Sequence, residues 1–286
     1  MVSRLFKTWK YAALALLLGF PLAGWSAADA AEPKAAQPGP VAKSSVPELI
    51  KALSDPDAEF RRYAAYALGE LGPAAKSAVP ALIKTSGDPD RSLRLTSLQA
   101  LSNIGPAAKK AVPELIKILG DPDKDVRRGA AYALGAIGPD AKKAVPALRR
   151  YLTESACDAQ SPGCDRRVAV QTLGYIGRGA KKAVPELAKA LSDPNRHVRV
   201  AAAQALGSVG PAAKSAVPEL RKALGDPDAY VRVAAARYLA TVKPEAAAAV
   251  SELLKALNDN DEYVRFSAAK ALDKIGYKPA RSVRKD

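Results

Sequence analysis

One histidine, two cysteines and a recurring aspartate–arginine pair are the side chains of this sequence with chemistry to offer. The pair is the most conspicuous. An aspartate stands six residues before an arginine at Asp55/Arg61, Asp88/Arg94, Asp121/Arg127, Asp193/Arg199, Asp226/Arg232 and Asp259/Arg265. A carboxylate next to a cation can serve acid–base chemistry. No reaction requires six copies of one site, so the repetition points to a structural role. The arginine column also contains Arg166, but Gln160 stands where its aspartate should be, and the pattern is expected to break there.

His197 is alone. The positions that match it in the other repeats are Glu59, Ser92, Asp125, Cys164, Tyr230 and Tyr263, a column varied enough to read as exposed surface. A histidine dyad or ligand set is therefore out of reach, and the sequence suggests no nucleophile or carboxylate beside His197. No catalytic residue, metal set or cofactor-binding motif is expected, and no small-molecule substrate is evident. Cys157 and Cys164 are spaced C-x6-C. A redox-active pair is more often C-x-x-C, and a metal site needs more ligands than the neighbourhood supplies. An even cysteine count in an exported chain fits a structural disulfide. Closing so short a loop is worth roughly 2 kcal/mol.

The elements that position these residues follow from internal repetition. The string AVPELIK or a close variant recurs with a proline column at Pro47, Pro80, Pro113, Pro146, Pro185 and Pro218, and Ser251 takes the seventh place. Both the proline and arginine columns step by 33 residues, with one shared step of 39. Residues 43–277 are therefore seven copies of one unit, with an insertion near 155–164. Each unit reads as two helices. In the third, Val112, Leu115, Ile116 and Leu119 mark one helical face, and Val126, Ala130, Leu134 and Ile137 mark a second. Asp121 is expected to cap the second helix with Pro122 in its first turn, and Gly138-Pro139 to end it. A lone helix pair cannot bury its apolar face, so successive pairs stack into an all-α superhelical solenoid.

Before the repeats lies a segment that reads as a leader. Arg4, Lys7 and Lys10 precede the apolar run 12–22, and Ala28-Asp29-Ala30 offers cleavage after Ala28 or Ala30. The run falls short of the roughly 20 residues that span a bilayer; an uncleaved anchor is the alternative. Residues 31–42 read as an Ala/Pro-rich linker and 278–286 as a basic tail. The expected location is periplasmic or secreted. Loss of residues 1–30 removes three cations and one anion from a chain of net charge +15, so the mature protein stays strongly basic.

Residues 121–152, DPDKDVRRGAAYALGAIGPDAKKAVPALRRYL, resemble the HEAT repeat almost letter for letter, in the short form found in phycobilisome lyases. The resemblance spans about residues 43–277. The 33-residue period equals that of ankyrin, but ankyrin's T-P-L-H-x-A signature is absent. The resemblance implies that the aspartates and arginines form a ladder along the stack, a carboxylate–guanidinium contact that sets helix register. It also implies that the second helices line the concave side. The HEAT-like deoxyhypusine hydroxylases hold iron through repeated His-Glu pairs, which one histidine cannot supply.

Two polar columns on the second helices change identity from repeat to repeat. One runs Tyr66, Gln99, Tyr132, Gln171, Gln204, Arg237 and Lys270; the other, one turn further, includes Tyr175 and Lys274. Residues four apart share a helix face, so these are the candidate partner-binding groove. Tyrosine and arginine favour protein interfaces, and the expected partner is a protein with an acidic surface. The first helices carry a second basic set, Lys109, Lys110, Lys117, Lys142, Lys143, Arg149, Arg150, Lys181, Lys182 and Lys189. These suit anionic lipid or polysaccharide as an alternative partner. Export argues against nucleic acid, and no base-reading module is present. The expected function is a non-enzymatic exported scaffold; a lyase-type enzyme or its accessory subunit is the further alternative.

Overall fold

The computed structural model describes residues 46–155, 157, 161, 163–242 and 245–278. The expected leader and linker, residues 279–286 of the expected tail, and Gln160 lie outside the described residues.

All regular structure among the described residues is helical. Helices alternate short and long. The short ones are α1 (Val46–Ala52), α3 (Val79–Thr85), α5 (Val112–Ile118), α7 (Val145–Glu154), α9 (Val184–Ala190), α11 (Val217–Ala223) and α13 (Val250–Ala256). The long ones are α2 (Ala58–Glu70), α4 (Arg91–Ile104), α6 (Lys124–Ile137), α8 (Asp165–Ile176), α10 (Arg196–Val209), α12 (Ala229–Leu239) and α14 (Glu262–Ile275). The two-helix reading of each repeat omitted a third element. A 3-10 helix leads into most short helices, for example Gly105–Ala111, Gly138–Ala144 and Gly177–Ala183. Its buried alanines, Ala141 and Ala144 in one copy, let the backbone lie close against the stack.

The long helices α2, α4, α6 and α12 are capped by the second aspartate of an Asp-Pro-Asp turn, not the first. Asp123 has an extended backbone and accepts the N–H of Asp125. Asp121 Oδ1 instead accepts the N–H of Asp123 at 2.8 Å, which tightens the turn before the helix begins. At the other end Gly138 has φ +71° and ψ −135°, a conformation closed to side chains bearing a Cβ. The αL cap expected of such glycines occurs at Gly276, with φ 83° and ψ 23°.

The chain forms two compact units, divided between Glu114 and Leu115. In the first, α2 packs along α4. In the second, α6, α8, α10, α12 and α14 pack in series, and α8, α10, α12 and α14 each also meet the short helix before them. Both cores are built from leucine, valine and alanine, with Leu68, Leu101, Leu134, Leu173 and Leu206 fully buried. Small residues allow close approach. A Cβ on Gly174 would lie 3.1 Å from the Ala205 backbone, so α8 and α10 meet with no side chain between them.

Candidate functional site

The aspartate–arginine columns form two kinds of contact. Within a repeat, the arginine closes its own turn: Arg127 Nη1 donates to the carbonyl of Asp121 at 2.8 Å, and Arg199 Nη1 to that of Asp193 at 3.0 Å. Between repeats, the guanidinium reaches the next aspartate. Arg61 stands 3.8 Å from Asp88 in the first unit. In the second, Arg166–Asp193, Arg199–Asp226 and Arg232–Asp259 each close to 2.8 Å. The Arg232 guanidinium holds the Asp259 carboxyl below the usual carboxylate range. Arg94 and Arg265 bond to the carbonyls of Asp88 and Asp259. The expected break at the fourth repeat is bridged. Arg127 turns to Asp165, five residues after Gln160, at 3.1 Å, and Arg128 bonds the other oxygen of the same carboxylate.

Arginines of the short helices make similar rungs to the next repeat. Arg149 meets Glu186 and Arg221 meets Glu252, both at 2.6 Å. The Arg221 guanidinium pulls the Glu252 carboxyl down to about 2. A folded value below the unfolded one of about 4.3 stabilises the protein above that pH, and the gain is lost as pH falls toward 2. Arg221 is more than a third exposed, so solvent screening takes away much of that gain. Arg221→Ala is expected to return the Glu252 midpoint to about 4.3, read by carboxyl NMR titration; an unchanged midpoint would contradict the pairing.

The insertion in the fourth repeat is tied to the fifth. Cys157 and Cys164 are paired, with Cα atoms 5.1 Å apart. Asn195, fully buried, sits against them. Its Oδ1 caps α10 by accepting the N–H of His197 at 2.8 Å. Its Nδ2 donates to the Ser161 carbonyl at 2.8 Å and approaches the sulfurs of Cys157 and Cys164.

The candidate groove residues lie on one face of the long helices. Tyr66 on α2 and Gln99 on α4 are exposed in the first unit, where Gln99 also donates to Asn103 Oδ1 at 2.8 Å. In the second unit Tyr132 (α6), Tyr175 (α8), Gln204 (α10), Arg237 (α12), and Lys270 and Lys274 (α14) are exposed; Gln171 is half-buried. The face extends further toward the helix N-termini than the two columns suggested. Tyr230, Tyr263 and Phe266 are 72%, 66% and 59% exposed, and Lys270 Nζ sits 4.5 Å above the Phe266 ring. The spacing carried this signal: Phe266 and Tyr263 precede Lys270 by four and seven residues. His197 is half-buried in the same stripe, not freely exposed.

An open depression of about 330 Å³ lies on this face, between α8, α10 and the start of α12. Arg167, Arg196 and His197 line it, with Gln171, Gln204 and Tyr230 around them. The basic set assigned above to the short helices divides otherwise. Lys109, Lys110, Lys142, Lys143, Lys181 and Lys182 belong to the 3-10 segments, where their neighbours Ala108, Ala141 and Ala180 are buried and the lysines project outward. Lys117, Arg149, Arg150 and Lys189 are on short helices.

The sequence pattern of HEAT repeats matches at residues 46–111, 107–161, 159–227 and 217–283. The chain belongs to the HEAT-repeat family. No curated protein matches it. Among solved structures, an engineered protein is similar with 28% identity and a TM-score of 0.59, over 81% of this chain and 68% of that one. The complex of CpcE and CpcF of phycocyanin lyase from Nostoc sp. PCC7120 is similar with 26% identity and a TM-score of 0.52, over 86% and 98%. A designed armadillo repeat protein shares the fold at 18% identity and a TM-score of 0.52, over 80% and 99%. This HEAT-repeat chain is thus an all-α solenoid of repeated helix pairs, as the repeat pattern led us to expect.

Proposed function

We propose that this HEAT-repeat chain is an exported, non-enzymatic scaffold that binds a protein partner through the face of its long helices. One observation carries the reading. Buried positions of the long helices repeat as leucine and alanine, while exposed positions on one face change identity and hold large aromatics, among them Tyr66, Tyr132 and Tyr175. Exposed tyrosines combine contact area with a polar tip and are enriched at protein interfaces. Affinity capture from an envelope extract is the test. A discrete protein retained at high salt supports the face as the binding surface.

A second reading rests on the exposed lysine pairs Lys109–Lys110, Lys142–Lys143 and Lys181–Lys182. They suit an anionic lipid or polysaccharide surface. Such binding is expected to fail by about 0.5 M salt, where screening acts within a few ångströms. The likeness to the phycocyanin lyase complex keeps a lyase-type activity or accessory role as a third reading; a chromophore carried by the purified protein would favour it.

Export rests on the leader pattern and is consistent with paired cysteines. One mass measurement tests both. The protein recovered from its producing cell is expected to start after Ala28 or Ala30 and to show no alkylatable thiol until reduced. An intact leader, or two free thiols, would overturn the export reading.

A further inference from the structure

We propose that the depression between α8, α10 and α12 is a carboxylate-binding site, and that the partner's docking segment is an extended acidic peptide with one Asp or Glu side chain seated there. The proposal rests on the long-helix face being the binding surface and adds the chemistry it recognises.

Arg167 carries the argument. Arginines at the matching position of other repeats are satisfied: Arg62 Nε donates to the Ala58 carbonyl, and Arg128 pairs with Asp165 and Asp125. No nitrogen of Arg167 has a hydrogen-bond or ion-pair partner among the described residues, and its Nε is buried. Asp165 on the same helix is already engaged by Arg127 and Arg128. Arg167 is half-buried and lines the depression, so a carboxylate seated there would meet guanidinium N–H groups that no described residue engages.

The second cation is Arg196. One nitrogen meets Asp228 at 3.1 Å, while more than half the side chain stays exposed with donors to spare. Asp228 also caps α12 through the Tyr230 N–H, so its carboxylate is committed on both oxygens. Two guanidinium groups against one carboxylate leave one unit of positive charge. That matches a single incoming carboxylate; a dianionic phosphate would overcompensate beside Asp228. Gln171 and Gln204 offer amides on either side, Val200 and Ala201 an apolar wall, and the ring of Tyr230 a rim for the neighbouring peptide residue.

The test uses the full chain and two dye-labelled octapeptides, (Glu-Leu)4 and (Gln-Leu)4, read by fluorescence anisotropy. The acidic peptide is expected to bind on the order of ten-fold more tightly, the scale of one charge-assisted bidentate contact. Arg167→Ala should abolish the preference, Arg167→Lys restore it in part, and Lys189→Ala, on a short helix, leave it intact. If Arg167→Ala lowers the melting temperature, the Arg167 Nε–H resonance of the unmodified protein serves instead; it should shift with the acidic peptide alone. Equal binding of both peptides, a preference that survives Arg167→Ala, or displacement by inorganic phosphate in preference to (Glu-Leu)4 would each overturn the carboxylate site. Binding without preference that is lost in Tyr132→Ala/Tyr175→Ala would overturn the pocket and keep the face. Binding indifferent to both sets of substitutions would overturn the two together.

Discussion

Asn195→Asp is expected to destabilise the protein by roughly 2–3 kcal/mol, although it restores the aspartate that caps five of the other long helices. Asp57, Asp90, Asp123, Asp228 and Asp261 all cap long helices with a carboxylate oxygen. Aspartate and asparagine cap about equally well, so the cap alone predicts no change. The difference lies in the second polar atom. Asn195 Nδ2 donates to the Ser161 carbonyl in a fully buried site beside the paired cysteines. An aspartate would set an oxygen against that carbonyl oxygen with no proton to share, and would bury a charge without a cation. Urea unfolding measures the effect. Asp261→Asn, at a cap that bonds only backbone N–H groups of its own helix, is the control and should change stability by less than about 0.5 kcal/mol. A stabilised Asn195→Asp variant would contradict the account of this site.

The second large effect is expected at Asp165. It is 6% exposed and accepts from both Arg127 and Arg128. Removing one partner of a buried ion pair costs about 3–5 kcal/mol, because the other charge stays behind. Here the two guanidinium groups keep about a quarter of their exposure, so hydration recovers part of the loss. Asp165→Ala is expected to cost about 2–3 kcal/mol. In an Asp165→Ala/Arg128→Ala double variant part of the cost should disappear, since one stranded cation is gone. Strict additivity of the two losses would show that Asp165 does not hold Arg128.

These two residues also mark where the sequence stopped being informative. The repeat period, the helix pairs and the aspartate–arginine columns were legible because every copy reports the same constraint. A stack of identical rungs needs identical residues, and seven copies separate signal from noise. What stayed hidden is what happens once. Asp165 takes over from Gln160 because the insertion shifts the available carboxylate by five residues, which no column alignment shows. The 3-10 segments stayed hidden for another reason: their alanines and glycines carry no periodicity that distinguishes them from a loop. Asp121 reads as the cap because it precedes Pro122; the turn geometry gives that role to Asp123.

Of the candidate binding residues, the two columns are readable from their variation; the N-terminal continuation through Tyr230, Tyr263 and Phe266 shows in the sequence only as helical spacing ahead of those columns. Arg167 could not be singled out at all. Its sequence position matches Arg62 and Arg128, and only the three-dimensional arrangement shows those two satisfied and this one left over. Asn195 did carry a visible sign, as the one amide in a column that otherwise holds five aspartates and Pro162. Its meaning required knowing that the inserted loop folds back onto it.

The central claim is that the long-helix face is where the partner binds, and affinity capture with variants of each face tests it most directly. The wild-type protein is compared with Tyr132→Ala/Tyr175→Ala/Arg237→Ala on the long helices and with Lys142→Ala/Lys143→Ala/Lys189→Ala on the 3-10 and short-helix side. The account predicts that a discrete protein is retained at 0.5 M salt by the wild type and by the lysine variant, and is lost from the long-helix variant. Binding lost only from the lysine variant, or a catch of lipid or polysaccharide that salt removes, would contradict it.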